Sequence, residues 1–200
     1  MITLDIEASG TNYEKHSIVA IGAVDPNDPD NRFYKECRIW DGAHIMDGVL
    51  DYIGMTEAQL TDVSKPTEAE LVTEFLAWTE QFDDRTLTGQ NVSFDRDMLR
   101  HAAARAGLNW TLAYRTIDTH SLCWMHMIKA GYEPPVDSEH KRSALNLDAI
   151  LNYCGIPSEP EPHNALTGAL CHGEVTMRLL YDQKLLPEFE QYQIPWLEQQ

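Results

Sequence analysis

Ile2-Thr3-Leu4-Asp5-Ile6-Glu7-Ala8-Ser9-Gly10 is the stretch on which the fold turns. Apolar and polar residues alternate from Ile2 to Ala8, the period of a β-strand, and Ser9-Gly10 breaks the pattern. Asp5 and Glu7 stand two apart, so both carboxylates point to one face, a few ångströms from each other. Two like charges that close are unfavourable unless a cation lies between them. A solvent-exposed acidic face is the ordinary reading of Asp-x-Glu. Here the apolar flanks read as a central strand, which favours a metal.

Outward from that strand, residues 17–24 form a β-rich apolar run, 27–31 a polar turn and 33–40 a second alternating run. These predict three consecutive antiparallel strands. Residues 47–53 suit a short helix. Residues 66–82 carry helical periodicity, with Ser64 or Thr67 as the cap. Strands at 86–90 and 114–118 alternate with helices at 94–106 and 119–130, which stop at Gly107 and Gly131. Residues 132–141 read as a polar loop, 145–154 as a helix, 158–162 as a Pro-rich loop and 165–181 as the last long helix. The order predicts an α/β fold: a mixed five-stranded sheet with helices on both faces.

The chain has 200 residues, with 32 Asp and Glu against 15 Lys and Arg, a formal net charge of −17. That balance argues against electrostatic wrapping of long nucleic acid, though not against a metal-dependent enzyme that grips a short piece. No apolar run approaches a membrane span, and no secretory signal opens the sequence, so neither a membrane nor an export route is expected. Four scattered cysteines without a CxxC pair suit reduced thiols and a cytoplasmic setting.

Two further positions carry chemistry. Asp95 closes Gly89-Gln90-Asn91-Val92-Ser93-Phe94-Asp95, where a strand turns into a helix. It reads equally as an acid complementing the helix dipole or as one aimed at the catalytic edge of the sheet. His163 follows the Pro-rich loop. A lone His near a helix start is usually structural, but beside cations it can take a proton from water.

Taken together, these segments resemble the DEDDh exonucleases of the RNase H-like superfamily. That family opens with Asp-x-Glu-[Thr/Ala]-[Ser/Thr]-Gly, matched by Asp5 to Gly10. Its second motif, Gly-x-Asn-x-x-Phe-Asp, is matched from Gly89 to Asp95. Its third, His-x-Ala-x-x-Asp, is matched by His163-Asn164-Ala165 and then departs at Gly168. The resemblance spans residues 1–182 as an exonuclease domain and leaves 183–200 as a C-terminal tail. It implies an RNase H-like fold, two divalent cations, Mg²⁺ or Mn²⁺, held by Asp5, Glu7 and Asp95, and His163 as general base. It also implies 3′–5′ hydrolysis of single-stranded or short nucleic acid, with Ala8, Ser9, Gly10, Asn91 and Phe94 against the substrate.

Gly168 removes the fourth acid of the family pattern, which weakens one cation site. The chain then reads as an impaired exonuclease, as an exonuclease with a substitute ligand, or as a catalytically disabled module that binds nucleotides or a partner. His172 is the expected substitute, four residues on and on the same helical face, about 6 Å along the axis. In the tail, Gln193-Ile194-Pro195-Trp196-Leu197 loosely resembles the peptide with which replication proteins bind a sliding clamp. Docking of Trp196 on its own domain is the favoured reading. Nothing in the sequence reports oligomeric state.

Overall fold

Strand β1 (Ile2–Ala8) lies between β2 (Ile18–Asp25) and β4 (Leu87–Gly89), with β3 (Asp28–Glu36) and β5 (Thr116–Asp118) at the edges. The structure, a computed structural model, describes residues 1–198. β1, β2 and β3 form an antiparallel meander, whereas β4 and β5 run parallel to β1. The helices are α1 (Val49–Ile53), α2 (Glu57–Leu60), α3 (Glu68–Trp78), α4 (Ser93–Arg105), α5 (Thr119–Lys129), α6 (Leu147–Tyr153) and α7 (Ala165–Tyr181). This is the expected α/β architecture of a mixed five-stranded sheet covered on both faces.

The alternation of β1 sorts its side chains. Ile2, Leu4 and Ile6 enter a core with Phe75 of α3 and Met98 and Leu99 of α4. Burying each such side chain contributes about 1.5–3 kcal/mol, so packing holds this layer more than helix propensity does. The opposite face of β1, with Thr3 and Asp5, meets α7. There a Cβ added at Gly173 would stand 3.5 Å from the Thr3 hydroxyl oxygen. Gly22, the cross-strand partner of Asp5, lets α7 approach so closely that a Cβ there would fall 2.0 Å from the Ala165 carbonyl oxygen. The two acids of β1 therefore face the start of α7.

Local differences from the sequence reading have local causes. β3 begins at Asp28, because the hairpin loop is only Pro26-Asn27, closed by the Asp25 carboxylate accepting from Asn27 N–H at 2.8 Å. Pro29 is tolerated because β3 is an edge strand. The unforeseen helix α2 starts at a Thr56–Gln59 capping box, and α3 at a Thr67–Glu70 one. The loop after α5 contains a small hairpin, β6 (Val136–Asp137) with β7 (Arg142–Ser143).

Beyond α7 the chain folds back over a second core of α5, α6 and α7. Arg178, fully buried, uses all five of its N–H donors here. They reach the Glu174 carboxylate (2.7 Å) and the carbonyls of Cys154, Gln193, Phe189 and Tyr192. Glu174 in turn accepts from Leu185 and Leu186 N–H. Ile194 is buried, and Trp196 stacks on Tyr153 and donates to Asp182. The four cysteines are buried and unpaired, and no described helix is long and apolar enough to cross a membrane.

Candidate active site

At its C-terminal end β1 bulges between Glu7 and Ala8, which shifts the strand's register against β2. A cleft of about 660 Å³ opens there. Asp5 and Glu7 enter it from β1. Asp95 enters from the first turn of α4, placed by Asn91 in a left-handed conformation (φ 50°), and its Oδ1 accepts from Ile6 N–H at 3.1 Å. A main-chain bond thus ties the third acid to the strand that carries the first two.

His163 stands on the opposite wall, directly before Asn164, whose side chain caps α7 by accepting from the N–H groups of Leu166 and Thr167. The imidazole stacks on Tyr52 with ring centroids 4.2 Å apart, and its Nδ1 lies 3.1 Å from Glu159 Oε2. Ala8, Gly10, Asn91 and Phe94 also line the cleft. Ser9 does not. Its hydroxyl is fully buried, donating to the His44 carbonyl and accepting from Ser17 N–H, so it locks the end of β1 instead of facing a substrate. His172 lines the cleft, but its Nδ1 donates to the Leu4 carbonyl at 3.0 Å, and burial lowers its pKa to about 4. It is a neutral imidazole tied to the backbone of β1.

The acids lack compensation. Among the described residues no Lys or Arg pairs with Asp5, Glu7 or Asp95. Burial first, then the charge of Glu159 and Asp95, lifts Glu7 to about 8. Burial lifts Asp95 to about 7, against the pull of its backbone hydrogen bonds. Burial, then Asp95, Glu7 and Glu159, holds Asp5 well above the usual carboxylate range. A carboxyl raised on folding keeps its proton in the folded state where the unfolded chain has released it. Stability from Glu7 is therefore complete below its ordinary value of 4.5 and is lost as pH rises toward 8, and the raised aspartates lose theirs from 3.8 upward. The thermal midpoint of the metal-free protein should fall between about pH 5 and pH 8, and Glu7→Gln should flatten the fall. Equal slopes for the two proteins would contradict this origin.

The model of the RNase T exonuclease family matches residues 2–171. The chain belongs to this exonuclease family. Among solved structures, the nuclease domain of 3′hExo, a DEDDh family member bound to rAMP, is 16% identical with a TM-score of 0.67, covering 92% of this chain and 93% of its own. The cell-death related nuclease CRN-4 is 16% identical (TM-score 0.70), with 92% of this chain and 64% of CRN-4 covered. E. coli exonuclease I in complex with a dT13 oligonucleotide is 15% identical (TM-score 0.67), with 92% and 41% covered. The chain thus spans less than two thirds of CRN-4 and of exonuclease I. At these identities the structures establish the shared fold. A comparison with curated proteins gives no sequence match.

Exonucleases of this family generally use divalent metal ions. The donors here suit such ions: hard carboxylate oxygens, free of cationic partners, around one cleft. Among the described residues no three His, Cys, Asp or Glu side chains are arranged to hold an ion as they stand. Asp5 lies against the start of α7. A Cβ built at Gly168 would lie 2.2 Å from Asp5 Oδ2 and 3.2 Å from Asp5 Cβ. A side chain at 168 would therefore need Asp5 to shift from its present position. Gly168→Ala gains about 1 kcal/mol of helix propensity but overpacks the contact, at a cost of about 1–3 kcal/mol. The net expectation is a lower thermal midpoint. A raised midpoint would show that Asp5 moves aside freely.

Sequence reasoning missed Glu159 and Tyr52, both of which line the cleft. Glu159 had one available signal, an acid four residues before His163 in a Pro-rich loop. Nothing in the sequence marks Tyr52, which reaches His163 only through the placement of α1.

Proposed function

We propose that the chain is a metal-dependent 3′–5′ exonuclease that releases nucleoside 5′-monophosphates from the end of single-stranded or short nucleic acid. The observation that carries this reading is the convergence of Asp5, Glu7 and Asp95, without cationic partners, beside His163 in one cleft. Two Mg²⁺ or Mn²⁺ ions held by these acids would stabilise the charge that develops in an in-line displacement at phosphorus. His163 accepts the proton of the attacking water at Nε2 while Glu159 engages Nδ1, which orients the ring and holds its tautomer. The ring of Tyr52 stacked on the imidazole limits its rotation.

Phe94, Val49 and Leu147 give the cleft an apolar wall against which a terminal base or sugar can pack. Asn91 adds a polar group at its rim. The net charge of −17 confines contacts to a few terminal nucleotides, so affinity should depend weakly on salt. The oligonucleotide on exonuclease I and the rAMP on 3′hExo support a nucleic-acid substrate for this cleft too. The reading as a disabled binding module is not favoured. A chain that only bound nucleotides gains no stability from three buried acids without counterions.

The test is degradation of 5′-labelled DNA and RNA oligonucleotides in Mg²⁺ or Mn²⁺. Stepwise shortening with the label retained is expected, abolished by a chelator and by a blocked 3′ end. Early release of the label, or internal cuts alone, would refute the polarity. No cleavage with either ion would return the chain to the binding-module reading.

A further inference from the structure

Glu159 sits in the loop between α6 and α7. It is only 9% exposed. Its Oε2 meets His163 Nδ1, while its Oε1 is buried without any hydrogen-bond partner and the side chain lines the acidic cleft. Leaving a buried acceptor unsatisfied costs the full desolvation penalty of that group. If Glu159 only oriented the imidazole, a single oxygen would suffice, and the second would be better placed in solvent.

The loop is held firmly enough to make this position deliberate. Glu159 N–H donates to the Asp148 carboxylate at 3.3 Å, and His163 N–H donates to the Tyr52 carbonyl at 3.3 Å. Pro162 packs onto Gly54, where a Cβ would lie 2.5 Å from the proline ring. At the same time the nearest turn of α7 offers no acid, and Asp5 fills the space a side chain at 168 would need.

We infer that Glu159 is the fourth carboxylate of the cation site: its buried Oε1 takes the ligand position that Gly168 leaves without a side chain, while Oε2 positions His163. This rests on the metal-dependent reading above. It gives Glu159 rather than His172 the substitute role, because Mg²⁺ and Mn²⁺ are hard cations that favour a carboxylate oxygen over an imidazole nitrogen, and only a carboxylate restores the negative charge of the missing acid.

Mn²⁺ binding to the full chain, followed by electron paramagnetic resonance and titration calorimetry, tests it apart from activity. Glu159→Gln keeps the shape and the contact to His163 but lowers the ligand charge. Mn²⁺ affinity should fall at least about tenfold, because ligand charge count sets affinity at such sites. Glu159→Asp should recover part of the loss. His163→Ala, which removes only the partner of Oε2, should bind Mn²⁺ within about threefold of the parent, as should His172→Gln. Circular dichroism and thermal midpoints confirm that each variant is folded. Unchanged Mn²⁺ affinity in Glu159→Gln, with activity matching His163→Ala, would overturn the ligand role and leave Glu159 a positioning residue. A parent chain that binds no Mn²⁺ at all, with Asp5→Asn equally silent, overturns the metal-dependent reading itself and this inference with it.

Discussion

Asp5→Asn should lower phosphodiester cleavage on the order of a thousandfold or more while raising the thermal midpoint of the metal-free protein. The two effects have one origin. Asp5 stands where the fields of Glu7, Asp95 and Glu159 meet, and no cationic side chain offsets them. In the proposed metal-dependent enzyme that arrangement would draw divalent ions in. Without ions it is repulsion plus the desolvation of a carboxylate. Asparagine matches the shape and removes the charge, so the metal-free fold relaxes as the catalytic centre loses its anchor. Rates on a 5′-labelled oligonucleotide and melting with and without Mn²⁺ read out both sides. The parent should be stabilised by Mn²⁺ and the variant hardly at all. An inactive variant with a lower midpoint would show that Asp5 has a structural partner and would defeat this account.

The second large effect lies far from the chemistry. Arg178→Met should cost about 3–5 kcal/mol and lower the thermal midpoint by about 10 °C. Arg178 and Glu174 are both fully buried, and the guanidinium also satisfies four main-chain carbonyls, three of them in the segment after α7. Methionine leaves the Glu174 charge and those carbonyls without partners. Lysine cannot replace the five-donor fork, so Arg178→Lys should lose most of the same stability. Release of the tail should appear as a change in tryptophan fluorescence, because Trp196 would leave Tyr153 and His126. The double variant Arg178→Met/Glu174→Leu should recover part of the loss by removing both charges together. A penalty below about 1 kcal/mol for the single change would mean that water replaces the guanidinium and the tail is independent of it.

The division between sequence and tertiary structure falls along distance in the chain. The alternation in Ile2–Ala8, the capped helical periods and the glycine stops are local signals, and they led to the mixed sheet and to α7 at its observed bounds. The spacing of Asp5 and Glu7 placed both acids on one face, and the helix start after Gly89 placed Asp95 in the first turn of α4. Those inferences needed only the geometry of a strand and of a helix. Ser9 was misassigned because a short motif does not show which way a serine at a strand's end turns, and here the His44 and Ser17 main chains claim it. The glycine at 168 read as a missing acid, since periodicity reports residue type and not the space around it. Only the close packing of α7 on β1 shows that Asp5 fills that space. Glu159 and Tyr52 became part of the cleft for the same reason. Their positions depend on where a Pro-rich loop and the short helix α1 land against the sheet, a contact made across more than a hundred residues of chain, which no local pattern encodes.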